Sequence, residues 1–213
     1  MSKFKTEQET FWHGEQGDTF TDRIQQWNQI PRLTALFAKA LSKTSGVNSI
    51  IEFGASIGNN IFAIKNILPH CSFTAVEINS KGAKILKERY EKSFNEELDI
   101  YVNSILEYKS DSLKDLSLIK SVLVTINPDE LQNVYKKLYE ATKKYILIVE
   151  YYNPTPLDIP YRDGGMLYKR DFAGELMDKY PDVKLIDYGF VYHRDPVFPL
   201  DDYNWFLMEK ENR

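Results

Sequence analysis

One cysteine and three histidines are all that these 213 residues offer to soft metals or to a disulfide. Cys71 has no partner for an internal bridge. His13, His70 and His193 lie far apart in sequence without ligand spacing, so no structural zinc site is expected. Glycine and proline are scarce, at 10 and 9 residues, which removes fibrous and low-complexity classes and leaves ordinary globular composition. No run reaches the roughly 18 consecutive apolar residues that cross a bilayer, and the polar start Met1-Ser-Lys-Phe-Lys-Thr-Glu7 lacks a signal-peptide core. Basic residues do not exceed acidic ones, 27 against 31 with a formal charge of −4, so nothing draws the whole chain to nucleic acid or an anionic membrane. The expectation is a soluble cytoplasmic protein that takes a small molecule rather than nucleic acid or membrane as partner.

At this length one large domain with decorations is expected. Residues 1–45, with Phe11, Trp12, Phe20 and Trp27, read as an aromatic arm and helices forming a lid, the last helix running from Pro31 to Lys43 with Leu33, Leu36, Phe37, Ala40 and Leu41 on one face. From 46 to 213 short apolar runs alternate with amphipathic stretches, the pattern of a mostly parallel sheet with crossover helices. Strands are expected over 49–53, 72–77, 98–102, within 116–124 and over 144–150, with helices over 59–68, 80–92 and 128–142. A Pro-rich loop with Pro154, Pro156 and Pro160 and a helix over 169–180 follow. The last two strands, 184–192 and 203–209, are joined by too short a linker for a crossover helix, so they should pair antiparallel.

The chemistry concentrates after the first strand, in Glu52-Phe-Gly-Ala-Ser-Ile-Gly58. Two glycines permit a sharp turn and close approach of a ligand to the backbone. The second strand ends in Glu77, where nucleotide-binding folds place a carboxylate on ribose hydroxyls; a solvated strand end is the alternative. A dinucleotide fingerprint needs a middle glycine where this chain has Ser56, and the Gly-Lys-Ser/Thr ending of triphosphate-binding loops is absent. A ligand with adenosine but no phosphate fits both absences.

Ile50-Ile-Glu-Phe-Gly-Ala-Ser-Ile-Gly58 with Glu77 resembles motifs one and two of class I S-adenosylmethionine-dependent methyltransferases, and the terminal hairpin resembles the end of that family's seven-stranded sheet. Further segments resemble the bacterial methylases associated with pseudaminic acid biosynthesis. They are Phe11-Trp-His-Gly-Glu-Gln-Gly-Asp18, Val122-Leu-Val-Thr-Ile-Asn-Pro-Asp-Glu-Leu131, Tyr145-Ile-Leu-Ile-Val-Glu-Tyr-Tyr-Asn-Pro-Thr-Pro156, Lys169-Arg-Asp-Phe-Ala-Gly-Glu-Leu176 and Asp187-Tyr-Gly-Phe-Val-Tyr-His-Arg-Asp195. The resemblance implies a three-layer Rossmann-like α/β fold, S-adenosylmethionine as cofactor and a small carbohydrate-derived acceptor. It places Glu52, Gly54, Ser56 and Gly58 at the methionine end, Glu77 and Ile78 at the ribose, Asn103, Ser104 and Ile105 at the adenine edge, and Lys120 and Ser121 beneath the sulfonium. Two positions depart from that pattern, Ser121 where Gly is expected and Thr125 where His is expected.

Base candidates are Glu150, which is either the base or a structural acceptor, and His193. Trp12, Phe20, Tyr151 and Tyr152 can stack on a sugar or simply pack, and Arg162, Arg170 and Arg194 can meet an anionic acceptor or remain solvated. Asn127-Pro-Asp-Glu130 reads as helix-start chemistry. Asn153-Pro-Thr-Pro156 lacks the adjacent prolines and stacking aromatic of base-modifying enzymes. The rival readings are an adenosine-binding scaffold without catalysis and a nicotinamide-dependent sugar oxidoreductase.

Overall fold

The structure is a computed structural model that describes residues 4–25 and 28–211; Trp27 lies outside them. A seven-stranded sheet is formed by β1 (Ser49–Phe53), β2 (Ser72–Glu77), β3 (Asp99–Val102), β4 (Lys114–Lys120), β5 (Thr142–Glu150), β8 (Val183–Phe190) and β9 (Asn204–Lys210), in the order β3-β2-β1-β4-β5-β9-β8. The first five strands are parallel. β9 runs antiparallel to β5, with Glu150 opposite Asn204, and β8 antiparallel to β9. The expected terminal hairpin is therefore present at the sheet edge.

Alternation along the strands sorts side chains into two cores. Ile50, Leu116, Leu118, Leu147 and Val149 face α3 (Ile30–Ala40), α4 (Asn59–Lys65) and α5 (Ser80–Phe94), where Phe37, Ile61, Leu86 and Tyr90 are buried. Ile51, Ile119, Ile146 and Ile148 face α6 (Leu131–Ala141) and α7 (Phe172–Lys179), with Tyr135, Leu138 and Leu176. Burial of both faces explains why the central strands read as near-continuous apolar runs.

Four of the sequence expectations shift. β4 stops at Lys120, because residues 123–125 turn into a 3-10 helix whose amides are held by Glu150. The helix expected over 128–142 starts with a 3-10 turn at Pro128–Glu130 before α6, and Thr142 already belongs to β5. The Pro-rich segment is not all loop: β6 (Leu157–Pro160) pairs antiparallel with β7 (Met166–Lys169). The following helix starts only at Phe172, since Asp171 caps it by accepting from the Gly174 amide at 2.9 Å.

At the N-terminus α1 (Glu7–His13) opens with a capping box between Thr6 and Glu9, and α2 (Glu15–Gln25) follows after Gly14. Asn79 ties this pair to the sheet. Its Oδ1 caps α5 by accepting from the Gly82 amide at 2.8 Å. Its amide donates to Asp18 Oδ1 at 2.8 Å and to the Trp12 carbonyl at 3.3 Å.

Candidate functional site

Register brings the carboxyl ends of β1, β2 and β4 to one level, Phe53 standing beside both Val76 and Ile119. There the chain must reverse into α4, and the Gly54 and Ala55 amides both bond the Val76 carbonyl, at 2.8 and 3.1 Å. Gly54 has φ +77°, and a Cβ placed there would run into Val122. Ser56 has φ +50° and Ser121 φ +58°, left-handed values that cost a residue with a side chain about 1–2 kcal/mol. Both serines line a cavity of about 470 Å³ at this end of the sheet. Strain of this kind gathers where a site needs a particular backbone path.

Glu77 projects from the end of β2 onto the cavity wall and is almost wholly buried. Its Oε2 accepts from the Ser56 amide at 2.6 Å and its Oε1 from the Asn79 amide at 2.7 Å. Burial raises its pKa, and these backbone donors work against that rise. Each oxygen keeps a lone pair for a further donor. Ile78 lines the cavity next to it, as do Ser104, Ile105 and Leu106 from the segment after β3.

The opposite wall comes from β4, β5 and the approach to β9. Lys120 lies with its ammonium 4.2 Å from the centre of the Tyr203 ring. Ser121 Oγ donates to the Tyr203 hydroxyl at 2.9 Å, and Tyr151 donates to Asp201 Oδ2 at 2.9 Å. All five residues line the cavity. Trp12 and Phe20, edge-to-face at 5.4 Å, close it from α1 and α2, and Tyr161, Arg162 and Leu167 close it from the β6–β7 hairpin.

The cavity thus gathers Gly54, Ser56, Glu77, Ile78, Ser104, Ile105, Lys120, Ser121, Trp12, Phe20, Tyr151 and Arg162 from the residues singled out in sequence. The others do not line it. Asn103 Oδ1 folds back to accept from the Ser104 amide at 2.8 Å, and Gly58 instead starts α4, where φ +84° and the nearness of Leu86 require glycine. Tyr152 points to the other side of the chain from Tyr151 and packs on Phe206. Arg170 is held by Glu175 at 3.1 Å, and Arg194 is exposed. His193 is also exposed, its amide and Nδ1 both bound to Asp202 at 2.9 Å. This geometry keeps His193, Arg170 and Arg194 off the cavity wall.

Glu52 and Glu150 are fully buried just behind the lining residues. Glu52 accepts from Asn60 at 2.5 Å through Oε1 and is pushed up to about 8 by desolvation, with Lys120 pulling the other way. Glu150 is pushed up to about 7 by desolvation and accepts from the Val122 and Leu123 amides at 2.6 and 2.7 Å through Oε1. Oε2 of each has no hydrogen-bond partner among the described residues. Bound to two amides and off the cavity wall, Glu150 acts as a cap for the 3-10 turn after β4 rather than as a base in contact with the cavity. Thr125, where histidine was expected, lines the cavity with its hydroxyl donated to the Val122 carbonyl at 2.8 Å.

Sequence reasoning missed Asn79, Tyr161, Leu167, Asp201 and Tyr203. For Tyr203 a signal existed: antiparallel pairing of the last strand with β5 sets residue 203 beside Tyr151, and the two rings are 4.7 Å apart. No such signal announces Tyr161 or Leu167, which depend on the short hairpin. Among the described residues there is no group of three or more His, Cys, Asp or Glu that could hold a metal ion, and no helix long and apolar enough to cross a membrane.

No protein-family model and no curated protein matches the chain. Solved structures do. Magnesium protoporphyrin IX methyltransferase from Synechocystis PCC 6803, with bound S-adenosylmethionine, superposes with a TM-score of 0.70 at 8% identity over 99% of this chain and 100% of that one. An N-methyltransferase from Bradyrhizobium japonicum WM9, in complex with S-adenosylhomocysteine, gives 0.68 at 12% identity over 91% and 98%. The 1,6-didemethyltoxoflavin-N1-methyltransferase of Burkholderia thailandensis gives 0.67 at 13% identity over 95% and 85%. With its three layers and strand order, the chain has the Rossmann-like fold of the class I S-adenosylmethionine-dependent methyltransferases.

Proposed function

We propose that this chain is an S-adenosylmethionine-dependent methyltransferase acting on a small-molecule acceptor. The observation that carries the reading is Glu77. It is a buried carboxyl at the end of β2, fixed by two backbone amides next to a strained Gly54–Ser56 turn, with an open lone pair on each oxygen for a vicinal diol. The turn suits this cofactor rather than a dinucleotide or a nucleoside triphosphate, because Ser56 stands where a dinucleotide fingerprint needs glycine and the Gly-Lys-Ser/Thr ending of triphosphate-binding loops is absent.

Glu77 would hold the ribose, Ile78, Ser104 and Ile105 would enclose the adenine, and Gly54, Ala55 and Ser56 would face the methionine end. Asn60, whose side-chain amide donates to the buried Glu52 at 2.5 Å, lines the cavity at that end. When bound, S-adenosylmethionine supplies a methyl group already activated by a positive sulfur. The chain's own work is to align the acceptor, keep water out and receive a proton. Residues 1–45, with Trp12 and Phe20 on the cavity, serve as the lid over the domain formed by 46–213.

For the acceptor we infer a carbohydrate-derived, anionic molecule, within the pseudaminic acid pathway that the sequence resembles, in the bacterial cytoplasm. Trp12, Phe20 and Tyr151 offer aromatic faces to pyranose C–H groups, and Arg162 and Lys120 offer positive charge on the same cavity.

Calorimetric titration with S-adenosylmethionine, S-adenosylhomocysteine and NAD tests the reading. Saturable binding of the first two, weakened by Glu77→Ala, is the expected result. Binding of NAD alone would turn the reading toward an oxidoreductase, and binding of none would withdraw the cofactor assignment.

A further inference from the structure

We propose that the acceptor atom is a hydroxyl oxygen, and that its proton leaves the cavity through Tyr203 to Asp201, with Tyr151 positioning the carboxylate. This inference rests on the methyl-transfer reading and adds the chemical class of the acceptor and the route of its proton.

The residues meet because β9 pairs antiparallel with β5, which sets Tyr203 beside Tyr151 just past the Glu150–Asn204 pair. Tyr203 Oη accepts from Ser121 Oγ at 2.9 Å and donates to Asp201 Oδ2 at 3.3 Å. Tyr151 Oη lies 2.9 Å from the same carboxylate oxygen and 3.3 Å from Tyr203 Oη. Asp201 is exposed at the other end of this chain of oxygens. A path of hydroxyls from the cavity to an exposed carboxylate is an exit for a proton, since the carboxylate can hand it to water.

Among the described residues this wall carries one cation, Lys120, and one carboxylate, Asp201, and the cation is the one that lies against the Tyr203 ring. Lys120 stands 4.2 Å from the Tyr203 ring centre and makes no ion pair with a described residue. A cation there steadies negative charge developing on an acceptor oxygen or on Tyr203 Oη, and it repels an amine that arrives protonated. Other charged groups around the cluster are Lys169, 5.1 Å from the Tyr151 ring centre, the buried Glu150 and Glu52 behind Lys120, and the His193–Asp202 pair next to Asp201 in sequence. Burial pushes both glutamates upward, so they offset Lys120 less than two ionised carboxylates would.

In the step itself the acceptor oxygen would bond the methyl carbon as the methyl–sulfur bond breaks, the sulfur keeping that electron pair and leaving as a neutral thioether; the acceptor O–H bond breaks and its proton bonds to Tyr203 Oη. Tyr203's own proton moves to Asp201 Oδ2, which becomes the neutral acid and later releases the proton to solvent. The positive charge lost by the methyl donor is matched by the negative charge lost at Asp201, and the site regains its starting protonation when Asp201 gives that proton to water.

Two measurements test this, one without any ligand. In protein labelled at tyrosine Cζ, assigned with Tyr203→Phe and Tyr151→Phe, the carbon signals of both tyrosines should shift together as Asp201 titrates, and this step should vanish in Asp201→Asn. In the second, purified protein and S-adenosylmethionine are incubated with a bacterial metabolite extract, and products heavier by one methylene are found by mass and fragmented to locate the methyl group. The product should be methylated on oxygen. Tyr203→Phe and Asp201→Asn should lower kcat about 100-fold, at the low end of what a positioned acid–base group contributes. The acid limb of the pH–rate profile should disappear in Asp201→Asn, while S-adenosylmethionine affinity stays unchanged in both variants. An N-methylated product, unchanged kcat in Tyr203→Phe, or tyrosine signals indifferent to Asp201 would overturn the relay. If the wild-type protein binds no S-adenosylmethionine in the calorimeter, or yields no methylated product, it is the methyl-transfer reading that falls.

Discussion

The two walls of the cavity are made of different material. Around Glu77 nearly every group is set by backbone: the carboxyl is clamped by the Ser56 and Asn79 amides, and the turn is pinned by two bonds to the Val76 carbonyl. Facing it, Lys120, Ser121, Tyr151, Asp201 and Tyr203 meet mainly through side chains, with one backbone bond from the Tyr203 amide to the Asp201 carbonyl at 2.6 Å, and they come from the end of β4, the residue after β5 and the loop before β9. A backbone-built wall suits a ligand of constant shape, because its geometry survives most substitutions. A wall of side chains can be rewritten one residue at a time, as a fold that serves many acceptors requires.

Behind each wall sits one buried glutamate, and pH sharpens the contrast most strongly. Glu52 and Glu150 are pushed to about 8 and about 7, so each holds its proton more tightly folded than unfolded. Between the ordinary carboxyl value and these raised ones the native state carries more protons than the unfolded chain. Stability is therefore full at the acid end of that window and falls as pH rises through about 7 and 8, with a slope of up to about 1.4 kcal/mol per pH unit for each group. Denaturant unfolding measured across this window should show the fall. Glu52→Gln should flatten it more than Glu150→Gln, because Glu52 has one side-chain donor where Glu150 has two backbone amides. Stability that rises with pH would mean both carboxyls are ionised in the native protein.

Gly54→Ala attacks the backbone wall directly. It forces a side chain into a φ of +77° and against Val122, and should cost about 3 kcal/mol of stability from strain and overpacking together, read from the shift in denaturant midpoint. A cost near zero would show that the turn is not held in this form. Glu77→Ala should weaken S-adenosylmethionine binding by about 2 kcal/mol, the value for a charge-assisted hydrogen bond, whereas Tyr203→Phe on the other wall should leave that affinity alone. Equal losses from both would erase the division between the walls.

The smallest effect is expected at Asn79, which joins α1 and α2 to the backbone wall. Asn79→Ala removes the α5 cap at a cost of about 1 kcal/mol and releases the Asp18 and Trp12 contacts. Amide exchange within 7–25 should quicken while the central strands stay protected. Exchange unchanged in α1 and α2 would show that other contacts seat these helices.

The difference between the walls also explains what could be read in advance. The Gly54–Gly58 turn, Glu77, the central strands and the terminal hairpin are encoded in contiguous residues, through alternation, glycine placement and linker length. His193 and Arg170 looked equally available in sequence, yet each is engaged by a carboxylate that only folding brings to it, Asp202 and Glu175. Asn103 was placed one residue too early for the cavity, since its side chain is used by the next amide and Ser104 and Ile105 do the lining.

By itself, then, the sequence determined the order of elements, the parallel sheet and the carboxyl end at which a ligand site is proposed, because these follow from periodicity and from local turn chemistry. Only the tertiary structure decided which polar side chains face that ligand. The β5–β9 register sets Tyr203 and Asp201 beside Tyr151, the β6–β7 hairpin turns Tyr161 and Arg162 inward, and burial behind the wall takes Glu150 out of contact with the cavity. These are contacts between residues tens of positions apart, and no local preference of the chain encodes them.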